Sequence, residues 1–108
     1  MTDKVVVLVN CSNLEEADQI GKQLVTKKLA ACVNIVPGVR SWYWWEKKVV
    51  ADNEVMVIIK TSRERLNDLE KEVVRLHSYA VPEVIALPIV DGSQNYLNWI
   101  DFSLTGKS

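Results

Sequence analysis

Val5-Val6-Val7-Leu8-Val9 and Val55-Met56-Val57-Ile58-Ile59 decide the fold. Each is an unbroken apolar run of strand length, so each requires cover on both faces and belongs in the middle of a sheet. Working outward from the first, Asn10 to Asn13 breaks the strand, and Ser12 with Glu15 fits a capping box. The following helix puts Ala17, Ile20, Gly21, Leu24 and Val25 on one face, with Lys27 and Lys28 in its last turn. A second extended stretch runs from Ala31 to Glu46, and Pro37-Gly38 predicts a bulge or bend within it. Lys47 and Lys48 are expected to turn the chain. Val49-Val50 opens the returning strand, Ala51 to Asn53 kinks it, and Glu54 to Lys60 completes it.

Thr61 with Glu64 repeats the capping pattern before a helix carrying Leu66, Leu69, Val73 and Leu76. Pro82 ends helical possibilities there. Val84 to Val90 reads as the last strand, and Pro88, which cannot donate to a ladder, predicts an edge or a bulge there. Asp91-Gly92 then leads into a closing helix with Tyr96, Leu97, Trp99, Ile100 and Phe102. The order β-α-β-β-α-β plus a C-terminal helix predicts an α+β, ferredoxin-like sandwich. Right-handed crossovers set the first strand beside the third and fourth, with both crossover helices on one face.

The 108 residues are expected to form one domain, 1–108, with only Met1 to Asp3 and Thr105 to Ser108 frayed. Thirteen basic and fourteen acidic residues give a net charge of -1, which argues against nucleic-acid binding. Val5 to Val9 is too short for a membrane span or a signal peptide's core. A soluble, cytoplasmic protein is the expectation. Cys11 and Cys32 make no disulfide framework and read as buried thiols or ligands.

Trp42-Tyr43-Trp44-Trp45 is the oddest feature. Alternation along a strand sends Trp42 and Trp44 one way and Tyr43 and Trp45 the other. Helices cover one face of a two-layer domain, so four large rings on two faces require further cover. One reading folds the hairpin over its own core; the other makes it a subunit interface, because large exposed apolar patches mark association sites. The hairpin from Val39 to Val50 is too long for the rest of the sheet, so it could extend a neighbour's sheet, and a head-to-tail contact of that kind closes into a ring.

These residues resemble a known family. Leu29-Ala30-Ala31-Cys32-Val33-Asn34-Ile35-Val36-Pro37-Gly38 is similar to the signature of the CutA family, the divalent-cation-tolerance proteins. Trp44-Trp45-Glu46 with Lys48-Val49, Ile59-Lys60-Thr61, His77-Ser78-Tyr79-Ala80-Val81-Pro82-Glu83 and Tyr96-Leu97-Asn98-Trp99 match further blocks in order. The resemblance implies a PII-like homotrimer and a link to copper or other divalent cations. Lys47 stands where the family often has Gly, and Lys at a positive φ is strained. Family members that bind copper use a first-strand Cys and adjacent histidines ending the second helix. The corresponding residues are Val9, Leu76 and His77, so only His77 matches, and Cys11 lies near the same end.

Topology sorts the ligands. Cys11 ends the first strand and Cys32 begins the second at the opposite end, about 20 Å away for a six-residue strand, so the thiols do not share a metal within one chain. Cys11 and His77 can meet, and Glu46 or a neighbouring subunit would have to complete the site. The competing reading makes His77 a helix-terminal histidine and each Cys a small buried hydrophobe. Cys32, Arg40, Glu46, Lys60, Tyr79 and Glu83 form a second set, which a trimer could gather into a ligand cleft or lock as an ion-pair network. The chain carries no Walker loop, GxGxxG, GxSxG or HExxH, so an enzyme is not expected. The same fold in small acylphosphatases needs a phosphate-cradling loop, and in RNA-recognition modules aromatic sheet motifs; neither pattern is present. Three functions follow: a homotrimeric copper or divalent-metal tolerance protein, a PII-like small-ligand sensor, or a trimeric scaffold for protein partners. The first is the preferred reading.

Overall fold

The two apolar runs lie side by side at the centre of one four-stranded antiparallel sheet, in which the strands, counted along the chain, stand in the order second, third, first, fourth. The computed structural model describes residues 2–106. Its elements are β1 (Lys4–Cys11), α1 (Leu14–Thr26), β2 (Cys32–Trp45), β3 (Lys48–Ser62), a 3-10 turn (Arg63–Arg65), α2 (Leu66–Leu76), β4 (Val84–Pro88) and α3 (Gln94–Thr105). This is the ferredoxin-like βαββαβ order with an added helix. Val5, Val7, Val9 and Cys11 of β1 and Val55, Val57 and Ile59 of β3 share one face, where they bury against Ala17, Ile20 and Leu24 of α1 and Leu69 and Val73 of α2. Each such aliphatic side chain contributes about 1.5–3 kcal/mol on full burial. Alternation turns Lys4, Val6, Leu8 and Asn10 to the opposite face. There the buried Lys4 ammonium pairs with Asp3 and, at 2.9 Å, with Asp101 of α3. A second core of Ala31, Leu97, Ile100 and Leu104 seats α3.

Several boundaries differ from expectation. The α1 cap is Asn13, whose Oδ1 accepts from the Glu16 amide at 2.8 Å, rather than Ser12. The helix ends at Thr26, so Lys27 and Lys28 lie beyond it, and Lys27 Nζ instead donates to Glu72 Oε2 at 2.7 Å. Thr61 caps no helix; it stays in β3, and its Oγ1 donates to the Leu29 carbonyl at 2.7 Å. Pro88 closes the edge strand β4, so Ile89 and Val90 fall outside it. Thr2 Oγ1 donates to the Ile89 carbonyl and Thr105 completes α3, so neither is frayed. The same expectation for Met1, Lys107 and Ser108 lies outside the described residues.

The hairpin is as long as its sequence suggested: β2 has 14 residues and β3 has 15, against 8 in β1 and 5 in β4. The expected irregularity at Pro37-Gly38 is a register shift between Val36 and Val39, with Gly38 at φ +80°. β3 keeps an unbroken register through Ala51 to Asn53, because the one extra residue is in β2, where Pro37 and Gly38 stand against Val55. The turn is Glu46-Lys47 rather than Lys47-Lys48, with Trp45 opposite Lys48. Glu46 and Lys47 sit at φ 49° and 66°, the strained left-handed region foreseen for Lys47.

Candidate functional site

Three titratable side chains meet where the helix layer reaches one end of the sheet. Cys11 is the last residue of β1, opposite Val55. Glu16 lies in the first turn of α1, and His77 caps α2 in an extended conformation that stops the helix. One ligand atom from each lies within 4.8 Å of the others. The hydrogen bonds of His77 fix its tautomer. Nε2 is 2.7 Å from the Asn10 carbonyl, which can only accept, so Nε2 carries the hydrogen. Nδ1 accepts from the Tyr79 amide at 3.0 Å and is therefore bare. Glu16 Oε1 stands 3.5 Å from that same Nδ1 and is buried without a hydrogen-bond partner. A lone pair and an unpaired carboxylate oxygen thus face each other beside a thiol. Burial, reinforced by Glu16 and Glu54, pushes the Cys11 thiol up to about 12.

A thiolate, an imidazole and a carboxylate form the mixed donor set that suits zinc(II) or copper(II), with a fourth position open. The donors fit a metal on one condition: Nδ1 must release the Tyr79 amide. The group beside Cys11 and His77 is Glu16, not Glu46. Glu46 sits in the hairpin turn, and Lys48 just past it is seven residues of strand from Val55, roughly 23 Å. Cys32 pairs with Lys60 toward the other end of the sheet, away from Cys11.

The second set of residues does not converge within one chain. Lys60 Nζ donates to Asn34 Oδ1 beside Cys32. Arg40 stacks its guanidinium over Trp42 at 5.5 Å and reaches Asn53 Oδ1. Tyr79 and Glu83 line a cavity of about 720 Å³ between the hairpin and the 77–83 loop. In it Tyr79 Oη donates to Glu54 Oε2 at 2.8 Å, Tyr43 Oη donates to Asp52, and Asn10 Nδ2 donates to Glu83 Oε1. Burial and the Glu54 hydrogen bond hold the Tyr79 phenol above its ordinary value, and the Asp52 hydrogen bond does the same for Tyr43.

The hairpin does not fold over its own core. Trp42, Trp44 and Trp45 are 67%, 73% and 63% exposed. Val36, Ile85 and Leu87 are also exposed, on the sheet face turned away from α1 and α2. Sequence reasoning missed Glu16, Asp52 and Glu54. Glu16 was legible only as a first-turn acid suited to the helix dipole, and Asp52 and Glu54 only as a polar break in a strand.

Comparison with known proteins gives one answer. The family model for the CutA1 divalent ion tolerance protein matches residues 5–103. Protein CutA 1, chloroplastic, of Oryza sativa subsp. japonica is 49% identical over 96 residues, 89% of this chain and 54% of that protein. The chain thus spans about half the length of that plant relative. The divalent-cation tolerance protein CutA of Thermus thermophilus is 46% identical over 95 residues, covering 88% of this chain and 92% of the relative. The solved structure of the periplasmic divalent cation tolerance protein CutA from Archaeoglobus fulgidus superposes with a TM-score of 0.91 at 42% identity, covering 94% of this chain and 98% of that one. These names overturn the cytoplasmic expectation: relatives of this domain are called chloroplastic and periplasmic. A globular domain's composition does not encode its compartment. Among the described residues no helix is long and apolar enough to cross a membrane.

Proposed function

The chain belongs to the CutA1 divalent ion tolerance family, and from that premise we propose that it is a non-catalytic homotrimer that binds copper or another borderline divalent cation through Cys11, Glu16 and His77. One observation carries the metal reading: three donor atoms lie within 4.8 Å of one another, and one of them, Glu16 Oε1, is buried with no hydrogen-bond partner. A bound cation would supply that partner. The ion would displace the Cys11 proton and take the Nδ1 lone pair from the Tyr79 amide, while the Asn10 carbonyl keeps the ring oriented through Nε2. The names of the relatives supply the cation class, a divalent ion.

The exposed tryptophans of the hairpin and the uncovered apolar sheet face support the trimer. An edge strand and a hairpin that overhangs its own sheet are complementary, so a neighbour's hairpin could pair along an open edge.

Native mass spectrometry after incubation with zinc(II), or with copper under reducing conditions, reads subunit number and metal together. A trimer holding three ions, reduced to none by Cys11→Ser and by His77→Gln, is the expected result. A metal-free trimer, or one whose metal survives both substitutions, overturns the metal assignment. A monomer overturns the assembly.

A further inference from the structure

We propose that the cavity between the β2–β3 hairpin and the 77–83 loop binds an organic ammonium ion. Its size favours a molecule: about 720 Å³ is within the ordinary range of small-ligand sites. Its walls include three aromatic rings, Tyr43, Trp45 and Tyr79, and three carboxylates, Asp52, Glu54 and Glu83. No lysine, arginine or histidine lines it. Each carboxylate accepts one hydrogen bond from a neutral donor, and among the described residues none has a cationic partner within 4 Å.

Glu54 is the sharpest case. It is 9% exposed, its Oε2 is held by Tyr79, and its Oε1 has no hydrogen-bond partner among the described residues. That oxygen opens onto the cavity between aromatic rings, where a positive charge can meet it. The strand register explains the geometry. Glu54, Asp52, Tyr43 and Trp45 all fall on one face of the hairpin, because Val39 pairs with Glu54 and Ser41 with Asp52.

A bare metal ion fits this cavity poorly. Among the described residues the one cluster of three potential metal ligands is Cys11, Glu16 and His77, so the three cavity carboxylates do not converge on a point. They stand apart around aromatic surfaces, which attract organic cations through the ring quadrupole. On the other face of the hairpin the Trp42 ring carries the Arg40 guanidinium at 5.5 Å, a contact of the same kind. An anionic ligand would meet repulsion from three sides.

The test is calorimetric titration of the full chain, in its own assembly and with EDTA present, using benzylammonium chloride. Benzyl alcohol and sodium benzoate are the neutral and anionic comparisons. The expected result is saturable binding at one site per chain, at least tenfold tighter for benzylammonium than for benzyl alcohol and absent for benzoate. Affinity should fall with added salt. Glu54→Gln should weaken binding at least tenfold. Trp45→Ala should weaken it at least threefold at unchanged subunit number, which native mass spectrometry reads on the same sample because the hairpin tryptophans also support the trimer. No saturable binding, equal binding of benzyl alcohol, or unchanged affinity in Trp45→Ala overturns the proposal. A neighbouring subunit that fills the cavity would give the first of these results.

Discussion

Replacing Glu16 with glutamine should move stability and metal affinity in opposite directions. Glu16 Oε1 is buried, has no hydrogen-bond partner and faces His77 Nδ1 at 3.5 Å. Nδ1 carries no hydrogen, because it accepts from the Tyr79 amide. The metal-free protein therefore holds two acceptors against each other. An unsatisfied buried acceptor costs about 1–3 kcal/mol. Glutamine has the same shape and no charge, and with its amide nitrogen in the Oε1 position it faces Nδ1 as a donor rather than as a second acceptor, although the Nδ1 lone pair stays with the Tyr79 amide. The Glu16 side chain keeps 12% exposure, so part of the cost is already relieved by water. The low end of the range is appropriate, a gain of about 1 kcal/mol for Glu16→Gln without metal. That corresponds to a rise in Tm of roughly 4–8 °C. The same substitution removes the one anionic oxygen ligand, so zinc(II) affinity should fall at least tenfold. Urea denaturation in EDTA reads the first effect, with chain concentration held equal because association shifts apparent stability. Calorimetric titration reads the second. A variant that is less stable without metal, or one that binds zinc(II) as tightly as the parent, refutes the reasoning.

Two further predictions follow from packing and charge. A methyl group at Gly21 would meet Val33 Cγ1 at 2.9 Å and Ile35 Cδ1 at 3.8 Å. Gly21→Ala should gain about 1 kcal/mol of helix propensity and lose about 1–3 kcal/mol to overpacking against the stiff valine, a net loss near 1 kcal/mol by urea denaturation. In a Val33→Ala background the same change should become stabilising, and equal effects in both backgrounds would sink the close-approach argument. Hydrogen bonds from Arg75 and Lys27 hold the Glu72 carboxyl at about 2, against an ordinary 4.5. A depressed carboxylate contributes stability above its unfolded value and loses it as pH falls through the folded one. Glu72→Gln should therefore lower Tm at pH 7 and flatten its decline between about pH 4.5 and 2, and superimposable acid profiles would refute this.

The fold was legible where burial leaves one solution. β1 and β3 are apolar on both faces because each has a strand on either side and helices above, and no other position in a four-stranded sheet demands that. Boundaries were less legible wherever two adjacent residues can do one job. Ser12 and Asn13 are both good caps, and the choice falls to whichever places its oxygen on a free amide. Thr61 reads as a cap because the sequence does not reveal that β3 continues through it with its hydroxyl on the Leu29 carbonyl. Glu46-Lys47 carries no glycine or asparagine to announce a turn with positive φ, and the strand pairs on either side impose it. At the site, the approach of Cys11 and His77 follows from topology alone, since both elements end on the same side of the sheet. Glu16 does not, because its aim depends on how α1 is rotated about its axis, and that is set by packing of Ala17, Ile20 and Leu24.

Tyr79 ties the two candidate sites into one unit. Its amide donates to His77 Nδ1, its ring lies 4.6 Å from the imidazole, and its hydroxyl donates to Glu54 Oε2 in the aromatic cavity. The proposed metal ligands lie on the helix side of the sheet, whereas Glu54 and Asn10 point to the other side, so one residue spans both faces at the strand ends. An ion that takes Nδ1 must displace the Tyr79 amide and forgo a hydrogen bond of about 0.5–1.5 kcal/mol. A cation seated against Glu54 would meet Tyr79 through that hydroxyl and reinforce the position the ion must disturb. Since coupling between binding sites is reciprocal, whatever the ammonium site subtracts from metal affinity the metal subtracts from it. The buried imidazole is then more than a helix stop: with the Asn10 carbonyl fixing Nε2, Nδ1 is left as the single contact over which a metal and the cavity compete.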